Sequence, residues 1–165
     1  MSSEIDIKLK KIKIVISDVD GVLTDGGMYY NDKGEYMKKF NTRDSMGMEL
    51  LLQNEIKTIF MTRENSQIVK ERAKKIQIVD LYSNVQEKEK MIPEISKKYN
   101  VTRDEIAYIG DDINDLEIMK IVGFSASPND GTNIVKKIAD YTCEKAGGKG
   151  AFREVAELII NKKGS

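Results

Sequence analysis

The stretch that decides the fold runs Ile12-Lys-Ile-Val-Ile-Ser17 and then Asp18-Val-Asp20-Gly-Val-Leu-Thr24-Asp25. A β-branched run of this kind marks a strand buried on both faces. The polar, glycine-containing segment after it marks the strand's carboxyl end. Working outward, Ile56–Met61, Val79–Tyr82, Ile106–Ile109 and Val122–Ala126 repeat the pattern. Helical spacing lies between them, at Met46, Leu50 and Leu51, then at Ile68, Ala73 and Ile76. It recurs at Met91, Ile92, Ile95 and Tyr99, with Pro93 near the start of its helix, and at Phe152, Val155, Ile159 and Ile160. Strands alternating with helices predict a Rossmann-like, three-layer α/β fold around a parallel sheet. One segment breaks the alternation. Met28–Tyr30, a turn at Asn31–Gly34, and Glu35–Phe40 read as a β-hairpin inserted at about residues 27–41, an addition to the sheet. Lys8–Lys13 reads as a solvated edge leading into the first strand.

The chain has 165 residues, 27 Lys+Arg and 27 Asp+Glu, so its formal net charge is zero. That length predicts a single domain over 1–165, with neither linker nor repeat. Zero net charge argues against nucleic-acid binding by bulk charge. With no His and one Cys, Cys143, a Ser-His-Asp or Cys-His mechanism, a His-built zinc site and an internal disulfide are all excluded. No apolar run approaches the ~20 residues that span a bilayer. The N-terminal Met-Ser-Ser-Glu-Ile-Asp lacks a basic region followed by an apolar run. The expectation is a cytoplasmic protein without membrane or nucleic-acid partners.

Ligands of open α/β sheets bind at the carboxyl ends of the strands. There the chain places Asp18, Asp20 and Asp25, then Thr62-Arg63-Glu64, a loop leading to Lys88, and Gly110-Asp111-Asp112-Ile-Asn-Asp115. Each piece alone has a structural use, as a turn or a helix cap. Together, carboxylates at one sheet edge repel one another and raise their own pKa values unless a cation joins them. Oxygen ligands in that number select Mg²⁺ or a similar hard ion. An EF-hand fails, because Val22 and Tyr29 stand at ligand positions. Gly148-Lys-Gly150 lacks the third glycine of a dinucleotide fingerprint.

Asp18-Val-Asp20-Gly-Val-Leu-Thr24, Thr62, Lys88 and Gly110-Asp111-Asp112-Ile-Asn-Asp115 resemble the four motifs of the haloacid dehalogenase superfamily, over nearly the whole chain. The hairpin, the lack of a cap domain, and Gly147-Gly-Lys-Gly-Ala-Phe-Arg153-Glu154 resemble the capless subfamily. Its members are the 3-deoxy-octulosonate 8-phosphate phosphatases and their nine-carbon, sialic-acid-type relatives. The resemblance implies a Mg²⁺-dependent phosphatase acting through an aspartyl-phosphate. Asp18 would be the nucleophile and Asp20 the general acid and base. Thr62 and Lys88 would contact the phosphoryl group. Mg²⁺ would be held by Asp18, Asp111 and the backbone carbonyl of Asp20. Asp112 and Asp115 would orient Lys88 or the metal's waters.

For the rest of a sugar-acid phosphate the resemblance nominates Asn41, Thr42, Arg43, Asp44 and Ser45, with Glu64, Arg72, Lys75 and Arg153. It also implies a homotetramer whose hairpins associate and whose sites lie at subunit interfaces. Glu64 stands where the eight-carbon enzymes usually carry Arg and the nine-carbon type carries Glu, with partners matching Arg72 and Lys75. Glu49 stands where some octulosonate enzymes have a cation. The lean is therefore to a nonulosonate 9-phosphate of KDN or N-acylneuraminate type. The alternative is 3-deoxy-D-manno-octulosonate 8-phosphate of lipopolysaccharide biosynthesis. Two other classes compete. A receiver-like signalling domain also joins Asp, Mg²⁺, Thr and Lys, but in another order. A non-catalytic assembly module would be expected to have lost a catalytic position.

Overall fold

The computed structural model describes residues 4–164. Met1-Ser-Ser and Ser165 lie outside them, and with them part of the N-terminal reading and both ends of the expected 1–165 domain. Helix α1 (Glu4–Lys11) leads into strand β1 (Ile14–Ser17), and a hairpin of β2 (Tyr29–Asn31) and β3 (Gly34–Met37) follows. Then come α2 (Thr42–Gln53), β4 (Lys57–Met61), α3 (Gln67–Ile76), β5 (Asp80–Tyr82), α4 (Ile92–Tyr99) and β6 (Ile106–Ile109). The chain continues through α5 (Leu116–Ile121), β7 (Phe124–Ser127), α6 (Asn133–Ile138), β8 (Tyr141–Thr142) and α7 (Ala151–Lys163).

Six strands form a parallel sheet in the order β5-β4-β1-β6-β7-β8. Alternate residues of the central strands point to opposite faces, and each face has its own core. Val15, Phe60, Ala107 and Phe124 pack with Leu9, Leu51, Val69, Phe152 and Val155 from α1, α2, α3 and α7. Ile14, Ile16, Ile59, Met61 and Ile106 pack with Ile92, Ile95, Ile118 and Val135 from α4, α5 and α6. This is the expected three-layer α/β fold. Strand order reverses at β1, which lies between β4 and β6, so the loops after these three strands open onto one crevice.

Lys8–Lys13 is not a solvated edge, since Glu4–Lys11 is helical. Ile5, Leu9 and Ile12 follow the i, i+4, i+7 spacing of a helix stripe, and Leu9 and Ile12 are fully buried in the core. Lysines between them mimic a two-residue alternation. On α2 the buried apolar side chains are Met48 and Leu51, whereas Met46 is exposed. The hairpin is a separate two-stranded sheet rather than an addition to the main one. A bridge between Thr24 and Phe40 closes its base. Strand β8 and helix α6 were not foreseen, because two and six residues are too few to display a period. Cys143 is buried, and its thiol is pushed up to about 12 by desolvation and then by the Glu154 charge. No helix among the described residues is long and apolar enough to cross a membrane.

If α1 is an integral core element, Leu9→Ala should cost about 2–5 kcal/mol, the usual range for a buried leucine. Urea unfolding measures this, and an unchanged midpoint would return the segment to a solvated edge.

Candidate active site

The site forms because β1 and β6 are neighbours in register. Ser17 pairs with Ile109, and the Asp18 backbone N–H donates to the Ile109 carbonyl at 2.9 Å, bringing the loop after each strand beside the other. Gly21 has a φ of +91°, and a Cβ there would lie 2.0 Å from Asp111 Oδ2. Only glycine lets the two acidic loops come this close. Thr62 follows β4 on the other side of β1. It is buried, and its Oγ1 accepts the Glu64 backbone N–H at 3.1 Å.

Lys88 begins a short 3₁₀ turn that leads into α4, and it is 0% exposed. Its ammonium reaches Asp18 Oδ1 at 2.9 Å and Asp115 Oδ1 at 2.7 Å, and donates to the Tyr108 hydroxyl at 2.9 Å. Tyr108 in turn donates to Asp115 Oδ1 at 2.5 Å. The other Asp115 oxygen accepts the backbone N–H groups of Asp111 and Asp112 at 3.0 and 3.3 Å. Asp115 thus fixes both Lys88 and the loop that carries Asp111. Asp112 does something else: its Oδ1 accepts the Ile113 N–H at 2.7 Å and caps the next turn. Tyr108 escaped the sequence reading. The available signal was a hydroxyl in a strand buried on both faces, which must find a partner.

Ligand oxygens of Asp18, Asp111 and Asp115 all lie within 4.8 Å of one another. Burial raises the Asp18 carboxyl to about 6, with the Asp115 charge adding and Lys88 opposing. Burial raises Asp111 to about 8, with the charges of Asp18 and Asp115 adding. Asp18 and Asp111 are themselves within hydrogen-bond reach. Fully ionised, three carboxylates face one ammonium, leaving two formal negative charges, the charge of one divalent cation. Asp115 has both oxygens engaged, so Asp18 and Asp111 are the side chains able to hold such an ion. All donors are oxygen, which fits a hard cation.

Asp18 and Asp111 line a cleft of about 210 Å³ together with Asp20, Met28, Thr62, Arg63, Glu64 and Asp112, and Asp115 and Lys88 lie buried behind it. That is smaller than the ~300 Å³ lower bound typical of small-molecule pockets, so it suits a phosphate group rather than a whole sugar acid. Of the residues nominated to grip the remainder, only Glu64 lines this cleft. Asn41 caps α2 by accepting the Arg43 N–H, and donates to the Gly148 carbonyl at 3.1 Å. Asp44 is buried and accepts the Arg153 N–H at 3.0 Å, joining α2 to α7. Arg72 donates to the Ser45 hydroxyl and lies over the Phe40 ring, 5.4 Å from its centroid. Thr42 and Lys75 line one separate cleft of about 540 Å³, and Arg43 and Arg153 another of about 530 Å³. A single chain therefore gathers the acidic residues at one small cleft and leaves most of the residues nominated for the remainder apart from it.

Sequence reasoning also missed Lys38. Its side chain is 1% exposed, and its ammonium reaches Asp20 Oδ1 at 2.6 Å and Glu35 Oε1 at 2.7 Å. Glu35 Oε2 accepts the Ser66 hydroxyl at 2.8 Å. Nothing in Glu35-Tyr-Met-Lys38 marks it, because the contact depends on how the hairpin folds back.

A doubly covered parallel sheet with paired acids after its first and fourth sequential α/β strands, a hydroxyl between them and a buried lysine defines a hydrolase of the haloacid dehalogenase type. The haloacid dehalogenase-like hydrolase family matches residues 7–154, and this chain belongs to that family. It is similar to the 3-deoxy-D-manno-octulosonate 8-phosphate phosphatase of Haemophilus influenzae, 38% identical over 157 residues, which cover 95% of this chain and 87% of the relative. The enzyme of that name from Escherichia coli is 34% identical over 164 residues, 99% of this chain and 87% of its own length. The Moraxella catarrhalis enzyme, solved with magnesium ion, phosphate ion and KDO, superposes with a TM-score of 0.94 at 35% identity, covering 99% of this chain and 94% of that one. The chain is thus an enzyme, and the receiver-like and assembly readings give way.

Without a cation, Asp18 and Asp111 bind protons more tightly folded than unfolded, so their ionisation opposes folding. In chelator, stability should fall as pH rises from about 4 through about 6 and 8. Added Mg²⁺ should raise Tm at pH 8 by at least about 2–4 °C, the shift that 1 kcal/mol produces in a domain this size, and by much less at pH 5. Thermal melts with and without EDTA test this. Equal Mg²⁺ effects at both pH values would contradict it.

Proposed function

We propose that this hydrolase is a Mg²⁺-dependent phosphatase of a 3-deoxy-2-ulosonic acid phosphate, with 3-deoxy-D-manno-octulosonate 8-phosphate as its substrate. The observation that carries the reading is the convergence of Asp18, Asp20, Thr62 and Asp111 on one phosphate-sized cleft, with Lys88 buried against Asp18. The names of the eight-carbon relatives support the choice of substrate. The lean to nine carbons, drawn from Glu64, finds no such support. It named Arg72 and Lys75 as partners of Glu64, whereas Arg72 is turned to Ser45 and Phe40 and Lys75 lines a separate cleft.

In this reading Asp18 attacks phosphorus. An Asp18–O–P bond forms as the bond to the leaving alcohol oxygen breaks, and a proton passes to that oxygen from Asp20. In the second half Asp20 takes a proton from water, the resulting hydroxide attacks phosphorus, and inorganic phosphate leaves as the Asp18 carboxylate is restored. Asp18 and Asp111, with the Asp20 backbone carbonyl, would hold Mg²⁺, which when bound offsets the negative charge of the phosphoryl group. Thr62 donates to a phosphoryl oxygen. Lys88 orients Asp18 and neutralises developing charge, and its own pKa is held up by Asp18 and Asp115 against its burial.

The sugar end requires cations for the carboxylate of the substrate. Arg43, Lys75 and Arg153 lie away from the cleft in one chain, which supports a site completed by a second subunit. The exposed Met28, Tyr30, Tyr36 and Met37 on and beside the hairpin support association into the homotetramer. The setting we propose is the cytoplasm. Sedimentation should give about four times the chain mass, and a monomer at working concentration would remove the shared site.

Phosphate release from the eight-carbon substrate should require Mg²⁺. It should be lost in Asp18→Asn, whose circular dichroism and melting should match a folded protein. kcat/KM should favour the eight-carbon over a nine-carbon ulosonate phosphate. A nine-carbon preference would restore the role first given to Glu64, and full activity in Asp18→Asn would overturn the mechanism.

A further inference from the structure

We propose that Lys38, held by Glu35 and Ser66, is a positioning residue for proton transfer by Asp20: it occupies one carboxylate oxygen and leaves the other for the leaving group. The inference rests on the reading of Asp20 as general acid, and adds a residue that the four motifs do not contain.

Three observations carry it. First, the Lys38 ammonium is withdrawn from solvent between two carboxylates, at 2.6 and 2.7 Å, a geometry far more constrained than that of a surface pair. Second, the two oxygens of Asp20 differ: Oδ1 is taken by Lys38, whereas Oδ2 is buried and has no hydrogen-bond partner. A buried carboxylate oxygen without a donor is costly to keep. It makes sense at the mouth of a reaction cleft, where a leaving oxygen or a water supplies the missing partner. Third, the clamp is anchored on the catalytic framework. Glu35 is bonded to Ser66, the residue before α3, four positions after Thr62. The hairpin is therefore tied through Glu35 and Lys38 to the loops after both β4 and β1.

The geometry gives Lys38 a role distinct from that of Lys88. Lys88 lies beneath Asp18 and contacts the nucleophile. Lys38 contacts the acid, and with Asp20 Oδ1 immobilised the proton has one exit, through Oδ2. If the clamp is lost, the carboxyl can rotate, and the loss falls on the bond-breaking step that needs a proton.

Leaving-group dependence separates this role from a structural one. An aryl phosphate such as p-nitrophenyl phosphate leaves without protonation, whereas an alkyl phosphate does not, and kcat/KM reports the half-reaction in which that bond breaks. Lys38→Met should lower kcat/KM on the eight-carbon alkyl phosphate by about ten- to a hundredfold more than on p-nitrophenyl phosphate. That is a part of the roughly 10²–10⁴ a general acid supplies. Asp20→Asn should show the same selective loss, and Lys38→Arg should restore much of it. Glu35→Gln, which keeps the shape of the clamp and weakens its charge, should shift the ratio the same way by a smaller factor, and it decides the matter if Lys38→Met does not fold. An equal loss on both substrates, or a rise in KM alone, would overturn the proposal and leave Lys38 as packing or as an anion attractor. If Asp20→Asn shows no selectivity while Asp18→Asn is dead, the reading of Asp20 itself fails. A wild-type protein that hydrolyses neither substrate with Mg²⁺ would sink both readings.

Discussion

The molecule is organised around a buried charge imbalance. Asp18, Asp111 and Asp115 are brought within a few ångströms of each other by the pairing of β1 with β6, and Lys88 supplies the ammonium set among them. At 4 Å two like charges repel by ~4 kcal/mol at an effective dielectric of 20. Such a cluster cannot be a by-product of efficient packing. It is tolerated because a divalent cation completes it, and the charge that makes it costly when alone makes it able to receive a phosphate. Much of the surrounding detail serves this cluster. Gly21 lets the two loops touch, Tyr108 extends the hydrogen-bond chain into the core, and Asp115 holds both Lys88 and the loop bearing Asp111.

A second, smaller charge network lies across the cleft. Lys38 spans Asp20 and Glu35, and Ser66 holds Glu35 from the start of α3. The hairpin is thereby tied to the cleft at Asp20 and also carries an exposed apolar surface. Glu35 and Lys38 tie it to Ser66 and Asp20, while Tyr30, Tyr36 and Met37 are exposed. A hairpin is marginal in water on its own. Here it is stabilised by ion pairs at its base, which couples its placement to that of Asp20.

Much of the fold was legible because buried parallel strands are written as contiguous β-branched runs. The run Ile106–Ile109 coincides with β6, and the runs before Asp18 and Thr62 end where β1 and β4 end. The phosphate end was legible for the same reason: strand ends are local, and so are the motifs that follow them. Other features were not. Alternating lysines around Leu9 concealed a helix stripe. Lys38 and Tyr108 acquire their meaning from partners 18 and 7 positions away, through contacts that no local period encodes. The residues nominated to hold the rest of the substrate rest on resemblance. The fold uses several of them for its own purposes, Asn41 as a helix cap and Asp44 as a tie to α7, and the nine-carbon choice drawn from Glu64 finds no support among the eight-carbon relatives.

The most direct measurement is a crystal structure of the protein grown with Mg²⁺ and beryllium fluoride, a mimic of the phosphoryl group. The account predicts the fluoride adduct on an Asp18 oxygen, one metal ion bridging Asp18 and Asp111, and Lys88 unmoved between Asp18 and Asp115. An adduct on a different carboxylate, or Asp18 and Asp111 swung apart with no ion between them, would contradict it.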